Sequence, residues 1–557
     1  MSTRIQCLLP VAGFLFLFGM AQGRNPGPVT LHLIGDSTME DKPLEGNPER
    51  GWGQLFPFFF RDGVHVVNHA VGGRSSKSFI DEGRWNAVVQ SLRPGDWVFI
   101  QFGHNDEKKQ DSTRYTEPNT TYRLNLERFV LESRDKGAVP LLLTPVMRRR
   151  FDGSGVFFDT HGAYPDVVRR VADERRVPLI DLQRLTEKLI VDHGVEGSKN
   201  LFLWIEPGLF LACPNGLRDD THFSEYGATR VAELAAQDIQ RQGLPLKKYL
   251  RFPATIPPLA PMVYYVFAYF QNNGQDGLHL AHSRDGIHWT SLRDNKSFLT
   301  PMAGRDKLMR DPFVLQGPDG LFHLVWTVSW KERGIGYARS RDLVQWSEQK
   351  TLPVMEHEPN AVNCWAPEMV YDDENGRFLV FWSTTIPGRF PETDNQSSKG
   401  PPEPGSNHRI YCTTSKDMKT FSETRLFFNQ HFNAIDADIV QNGKRYVLFL
   451  KDETNKPFTP QKNIRVTLAE HAEGPYGPVS KPITGSFWAE GPAGMKVGNT
   501  WVVYFDRYRD GRYGAVVSTD LETWTDITDV LHFPPGTRHG SVFRVSEKVI
   551  NGLLKAD

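Results

Sequence analysis

The feature that most restricts the fold of this chain is a phrase that occurs four times in its second half. Ser283-Arg-Asp-Gly-Ile-His-Trp-Thr, Ser340-Arg-Asp-Leu-Val-Gln-Trp-Ser, Ser415-Lys-Asp-Met-Lys-Thr-Phe-Ser and Ser518-Thr-Asp-Leu-Glu-Thr-Trp-Thr each follow an apolar strand and set an aromatic residue four positions after an Asp at a turn. A unit that recurs in this way buries its apolar face against copies of itself, and short strands stacked so give an architecture of propeller type. Candidate innermost strands begin at Arg310-Asp-Pro-Phe-Val, Trp365-Ala-Pro-Glu-Met-Val, Ile435-Asp-Ala-Asp-Ile-Val, Ala489-Glu-Gly-Pro-Ala-Gly and His539-Gly-Ser-Val-Phe, which predicts five blades. Tyr264–Thr290 lacks an inner strand and His539–Val545 lacks outer ones. Combining the two would close the last blade and remove an exposed edge.

The first half obeys a different rule. Apolar strand candidates at Leu31–Ile34, Val64–Val67, Trp97–Phe102, Val139–Thr144 and Val177–Ile180 alternate with helical stretches such as Tyr122–Lys136 and Tyr164–Arg175. That alternation calls for a mostly parallel sheet covered on both faces, with its site beyond the strand C-termini. A chain of 557 residues also exceeds one hydrophobic core. The expected division is a signal peptide over residues 1–23, an α/β domain over 24–246, a proline-rich linker over 247–261 and an all-β domain over 262–557.

Arg4, the apolar run Val11–Gly19 and the small residues Ala21 and Gly23 have the three-part layout of an export signal cleaved near residue 23. The mature chain would then be periplasmic or extracellular, without a membrane span. With 65 Lys and Arg against 66 Asp and Glu, nothing draws the chain to nucleic acid or an anionic membrane. Outside the signal only Cys213, Cys364 and Cys412 remain, an odd number without metal-ligand spacing, so at most one internal disulfide can form.

Residues just after the strands of the first half carry the chemistry. The first strand ends in Gly35-Asp36-Ser37, which delivers a hydroxyl to the sheet rim. The second leads to Gly72-Gly73, able to present a backbone N–H, and the third to Gly103-His-Asn105, able to donate a side-chain N–H to the same oxyanion. Asp219-Asp-Thr-His222 reads as a loop entering the last helix, with His222 as base for Ser37 and Asp219 orienting the imidazole. Asp220 reads as solvated. Each piece alone is compatible with an ordinary turn or cap; their joint occurrence in order is not.

In the second half three inner strands carry an acid near their start: Asp311, Asp436 and Glu490. Carboxylates gathered on an axis repel one another and shift in pKa, which is what glycoside hydrolysis requires of its acid and base.

Two resemblances follow from these residues. Gly35-Asp36-Ser37, Gly73, Asn105 and Asp219-x-x-His222 match in order the four blocks of the SGNH hydrolases. Ala70-Val-Gly-Gly-Arg-Ser-Ser and Asp220-Thr-His-Phe-Ser-Glu-Tyr-Gly-Ala are similar to the rhamnogalacturonan acetylesterase branch, carbohydrate esterase family 12. Over about residues 28–246 this implies a flavodoxin-like fold that removes O-acetyl groups from pectic sugars without a cofactor. The family spacing selects Asp219 over Asp220 as the triad acid.

Residues 262–550 resemble glycoside hydrolase family 43. The resemblance implies Asp311 as general base, Asp436 as the pKa-modulating and orienting residue, Glu490 as general acid, and inversion. It makes His539 the axial histidine that often holds a water or a metal ion, here of unknown identity. Ile435-Asp436-Ala departs from the commoner Ile-Asp-Pro, and Asp438 lies two residues further on. The expected protein is a secreted bifunctional enzyme acting on acetylated pectin, with an α-L-arabinofuranosyl side chain as the glycosidic target. Alternatives are an exo-β-galactanase or β-xylosidase, a propeller that only binds polysaccharide, and a first domain that cleaves a lipid or peptide-linked ester.

Overall fold

The computed structural model describes residues 28–254, 256, 263–394 and 406–556. The signal-peptide reading of residues 1–23 and the end of the proline-rich stretch lie outside them. Among the described residues no helix is long and apolar enough to cross a membrane.

The first half is built on a five-stranded parallel sheet in the order Val64–Asn68, Val29–Ile34, Trp97–Ile100, Val139–Leu143, Leu179–Ile180. These are the five strands the alternation predicts, each within three residues at its ends. They are apolar because both faces are covered. One face packs Leu31, Leu33 and Phe99 against Trp52, Phe56 and the Ala-rich side of helix Glu225–Arg241; the other packs Val98, Ile100 and Leu142 against Trp85, Phe129 and Val168. Helix Arg123–Asp135 starts one residue later than the sequence suggests, because Pro118–Tyr122 forms a separate π turn before it.

Leu246, Tyr249 and Leu250 are buried in the core of this first unit, and Leu250 bridges to Phe60. The start of the stretch read as a linker is therefore folded onto the α/β unit.

The second half is all β up to its last helix. Among the described residues it holds five antiparallel sheets, four of four strands and one of three. Their first strands, Arg310–Gln316, Trp365–Asp372, Ala434–Asn442 and Glu490–Val497, coincide with the predicted inner strands. Strand Ser541–Val545 pairs with Tyr264–Tyr269, so one sheet draws on both ends of the region. Each of these five strands contacts the next, and Ser541–Val545 also contacts Arg310–Gln316. Apolar clusters fill the gaps between adjacent sheets.

Two sequence expectations fail. Asp219–His222 is not a loop: Leu217–Ser224 is a strand, antiparallel to Phe202–Ile205 and to Glu49–Arg50. Its polar composition hid a pairing made by distant residues. The chain also ends in helix Glu547–Lys555, where none was read; Ser546 caps it and Ile550 and Leu553 bury one face. Cys213, Cys364 and Cys412 are free.

Candidate active sites

Strand Val29–Ile34 is buried at its C-terminal end and turns sharply through Asp36. Asp36 Oδ1 accepts from Thr38 N at 3.0 Å and Thr38 Oγ1 at 2.8 Å, which fixes the turn that presents Ser37. Burial works against this carboxylate's charge, yet His104 and the Thr38 bonds outweigh it and hold its pKa at about 2.

Ser37 Oγ lies 2.9 Å from His222 Nε2, and His222 Nδ1 lies 2.6 Å from Asp219 Oδ2. The strand pairing explains this adjacency. Phe202 pairs with Phe223 while the next residue, Leu203, pairs with Asp219, so residues 220–222 arch out of the ladder and return the His222 ring over Asp219. Asp219 Oδ1 closes the arch by accepting from Thr221 N at 2.6 Å and His222 N at 3.1 Å. Burial depresses the imidazole pKa, but the Asp219 hydrogen bond and the charge of Glu49 prevail and raise it; burial likewise opposes the Asp219 charge, and His222 pulls its pKa down.

The oxyanion elements adjoin this triad. A Cβ placed on Gly72 would stand 3.6 Å from Ser37 Cβ, and the Asn105 amide donates to Arg74 O at 3.1 Å, which ties Asn105 to the Gly73 turn. Ser37, Asp219 and His222 therefore share one site, which the Gly72-Gly73 turn borders at Gly72, with Asn105 tied to that turn through Arg74.

Asp220 is not solvated. It accepts from Arg149 Nη1 at 3.0 Å, Trp204 Nε1 at 2.9 Å and Arg150 Nη1 at 3.4 Å, and so pins the outer side of the arch. Lys42, bridging Glu40 and Glu49 beside His222, also escapes a reading by motif because no local pattern links those residues to the triad.

The second site lies where the inner strands begin. Each of the four strands from Arg310 to Val497 has a register shift at its start, and the residue inside the shift has positive φ: Asp311 at 50°, Ala366 at 45°, Asp436 at 53° and Gly491 at 58°. Non-glycine residues occupy this region at a cost of about 1–3 kcal/mol, and such strain concentrates at functional sites. Gly491 has no substitute, since a Cβ there would fall 2.2 Å from the His539 ring.

Asp311 Oδ1 is 3.2 Å from His539 Nδ1, and its Oδ2 accepts from Thr327 Oγ1 at 2.8 Å. Burial opposes its charge, but His539 dominates and sets its pKa at about 2. Burial would lower the His539 pKa; Asp311, then Asp436 and Glu490, raise it to about 9. Among the described residues no three His, Cys, Asp or Glu side chains are gathered to hold a metal ion.

Asp436 Oδ2 accepts from Gly491 N at 3.1 Å, and burial raises its pKa to about 6. Asp438 reaches the same neighbouring strand at Gly494 N, 2.5 Å away, and burial again gives about 6. Glu490 Oε2 accepts from Lys451 Nζ at 3.1 Å, and its Oε1 faces Arg538 Nη2 at 3.5 Å. Asp311, Asp436, Glu490 and His539 thus form one electrostatic cluster. Sequence reading missed Glu368, which is buried, pushed well above the usual carboxyl range by desolvation, and hydrogen-bonded to Asp438. A Trp-Ala-Pro-Glu string gives no sign that its acid faces an acid from another strand.

Fold and site together define a Ser–His–Asp hydrolase unit followed by an all-β unit with a carboxylate-rich centre. The chain belongs, over residues 260–551, to the family described as a probable glycosyl hydrolase domain, and over residues 33–230 to the GDSL-like lipase/acylhydrolase family. It is similar to rhamnogalacturonan acetylesterase RhgT of Bacillus subtilis (strain 168), with 46% identity over 223 residues, 40% of this chain and 94% of that protein. The probable rhamnogalacturonan acetylesterase YesY of the same organism is 39% identical over 216 residues, 39% of this chain and 94% of that protein. A solved thermostable family-43 glycoside hydrolase aligns at 18% identity with a TM-score of 0.32, covering 42% of this chain and 78% of that one.

Proposed function

We propose that this chain is an exported bifunctional enzyme of acetylated pectin, combining a rhamnogalacturonan acetylesterase with a glycosidase. The observation that carries the first activity is the continuous Ser37–His222–Asp219 chain of 2.9 and 2.6 Å. Ser37 Oγ attacks the acetyl carbonyl as His222 Nε2 takes its proton, and Asp219 stabilises the resulting imidazolium. The Gly73 N–H and the second N–H of Asn105 receive the oxyanion. The sugar hydroxyl leaves with the proton from His222, and water returns Ser37 and acetate by the reverse steps. The relatives RhgT and YesY, both covered over nearly their whole length, support the substrate. Acetate release from acetylated rhamnogalacturonan, with Ser37→Ala as control, tests this; equal release by the mutant would remove Ser37 from the mechanism.

For the second unit the proposed form is a five-bladed propeller, with the sheet shared between Tyr264–Tyr269 and Ser541–Val545 as the closing blade. Asp311 acts as base toward a water that attacks the anomeric carbon, Glu490 protonates the leaving oxygen, and Asp436 orients the sugar, giving inversion. The ionised Asp311 suits the base role. The proposed bond is an α-L-arabinofuranosyl side-chain linkage, with galactosyl and xylosyl bonds as the alternatives, and the division near residue 250 separates the two activities.

One observation favours a second reading, a propeller that only binds polysaccharide. Both Glu490 oxygens face cations, so neither presents a proton to a leaving group without rearrangement. Product analysis on acetylated pectic side-chain fragments decides: a wild type that cleaves nothing yet binds them leaves the binding reading.

A further inference from the structure

Most cations around the carboxylate centre are matched by an acid. His539 pairs with Asp311, Lys451 with Glu453 and Glu490, Lys462 with Glu453, and Arg538 with Asp506 and Glu490. Arg310, the residue immediately before Asp311, makes no ion pair among the described residues. Its guanidinium is instead fixed by rings: its carbon lies 4.3 Å from the Trp330 centroid and 4.7 Å from that of Phe270. One nitrogen donates to Asn273 Oδ1 at 3.0 Å, and Trp330 Nε1 donates to the same oxygen at 3.2 Å.

This guanidinium is held before anything binds it. Stacking and the Asn273 bond remove most of the rotamer freedom that an arginine otherwise loses on engaging a ligand. Its remaining N–H fork is uncommitted, next to Trp330, a residue that is 43% exposed. Exposed Arg509 repeats the arrangement on Trp488, two residues before Glu490, 3.4 Å from the ring centroid and without an ion pair among the described residues. The centre is therefore acidic, and two ring-supported cations beside its acids in the chain, Arg310 and Arg509, make no ion pair among the described residues.

A neutral sugar needs no such cations. A sugar carrying a carboxylate is repelled by Asp311 and its neighbours unless a cation receives it, and a planar guanidinium fork receives a carboxylate through two parallel bonds. We propose that Arg310 binds the carboxylate of a uronic acid residue adjoining the scissile bond, so that the glycosidic site selects side chains borne on an acidic backbone. This rests on the glycosidase reading of the second unit and specifies its substrate class.

The test compares the full-length protein on two substrates: side-chain-bearing rhamnogalacturonan oligosaccharides, and the same oligosaccharides with their carboxyl groups reduced to alcohols. Wild type is expected to favour the acidic form by about tenfold in kcat/KM, carried by KM, and Arg310→Gln to bring the ratio to about 1. Arg310→Lys keeps the charge without the fork and should fall between. A preference that survives Arg310→Gln, or a wild type without one, overturns the proposal. Calorimetric titration of Glu490→Gln, with and without Arg310→Gln, using both oligosaccharides separates the two readings. Carboxyl-dependent binding without turnover in wild type would count against the glycosidase alone. Equal binding of both oligosaccharides would count against Arg310.

Discussion

Glu45 and Arg544, 499 residues apart, form a two-oxygen ion pair in which Arg544 Nη2 lies 3.1 Å from each Glu45 oxygen. Tyr265 adds its hydroxyl at 2.5 Å, and Gly498 N lies 3.5 Å from the second oxygen. The segment that follows the nucleophile is thus gripped by the all-β unit. Its backbone approaches closely enough that a Cβ on Gly46, at φ 64°, would lie 2.6 Å from Val497. That segment also carries Glu40, Lys42 and Glu49, which surround Ser37 and His222.

Glu45→Ala should therefore loosen the esterase site from a distance. Arg544 is half-exposed, so the stability loss is expected to be modest, about 1 kcal/mol. Amide hydrogen exchange of residues 40–50 in the full-length variant should rise while the carboxylate cluster of the second unit is unaffected. Unchanged protection would mean that the loop stands without the second unit.

The esterase should lose activity on the acid side. His222 must be neutral to accept the Ser37 proton, and its pKa is raised, so kcat/KM falls as pH drops through that raised value. Glu49→Gln removes one of the charges that raise it and should move this limb to lower pH. A limb that stays in place in the variant would show that Glu49 does not reach the imidazole electrostatically.

The Asp311–His539 pair gives a stability window. Asp311 is depressed to about 2, so its contribution is present above its unfolded value and is lost as pH falls toward 2. His539 is raised to about 9, so its contribution is full below its unfolded value and is lost as pH rises through 9. The pair should stabilise most between about pH 4 and 6.5. His539→Gln should lower the denaturation midpoint within that range, flatten its fall on either side, and move the acid limb of any glycosidase activity upward by about one to two pH units.

Glu368 should tolerate amidation. Burial, then Asp438, keeps its carboxyl protonated, so Glu368→Gln should change the denaturation midpoint by less than about 0.5 kcal/mol, whereas Glu368→Ala opens a cavity and should cost about 2 kcal/mol or more. A large loss in the Gln variant would mean that Glu368 is ionised.

The elements whose signals are local were legible in the sequence. Strand Val29–Ile34 is apolar because it is buried on both faces, and the repeated Ser-x-Asp turns recur because each Ser and Asp caps the turn it sits in, as Ser283 and Asp285 do for Gly286, Ile287 and His288. The strand at Leu217–Ser224 was not legible, since its partners come from Phe202–Ile205 and Glu49–Arg50. Asp220 looked solvated for the same reason: Arg149 and Trp204 are far from it in the chain.

The sequence by itself determined the periodicities and the order of the units, and it singled out Ser37, Asp219, His222, Asp311, Asp436 and Glu490 as candidates, because residue type and local spacing suffice for that. Tertiary structure decided their charge and company. Burial raised the Asp436 pKa and kept Glu368 protonated, His539 made Asp311 a stronger acid, ring stacking held Arg310 without an ion pair among the described residues, and Arg544 reached back to Glu45. Desolvation and Coulomb energy depend on distances through space, and no interval along the chain encodes them.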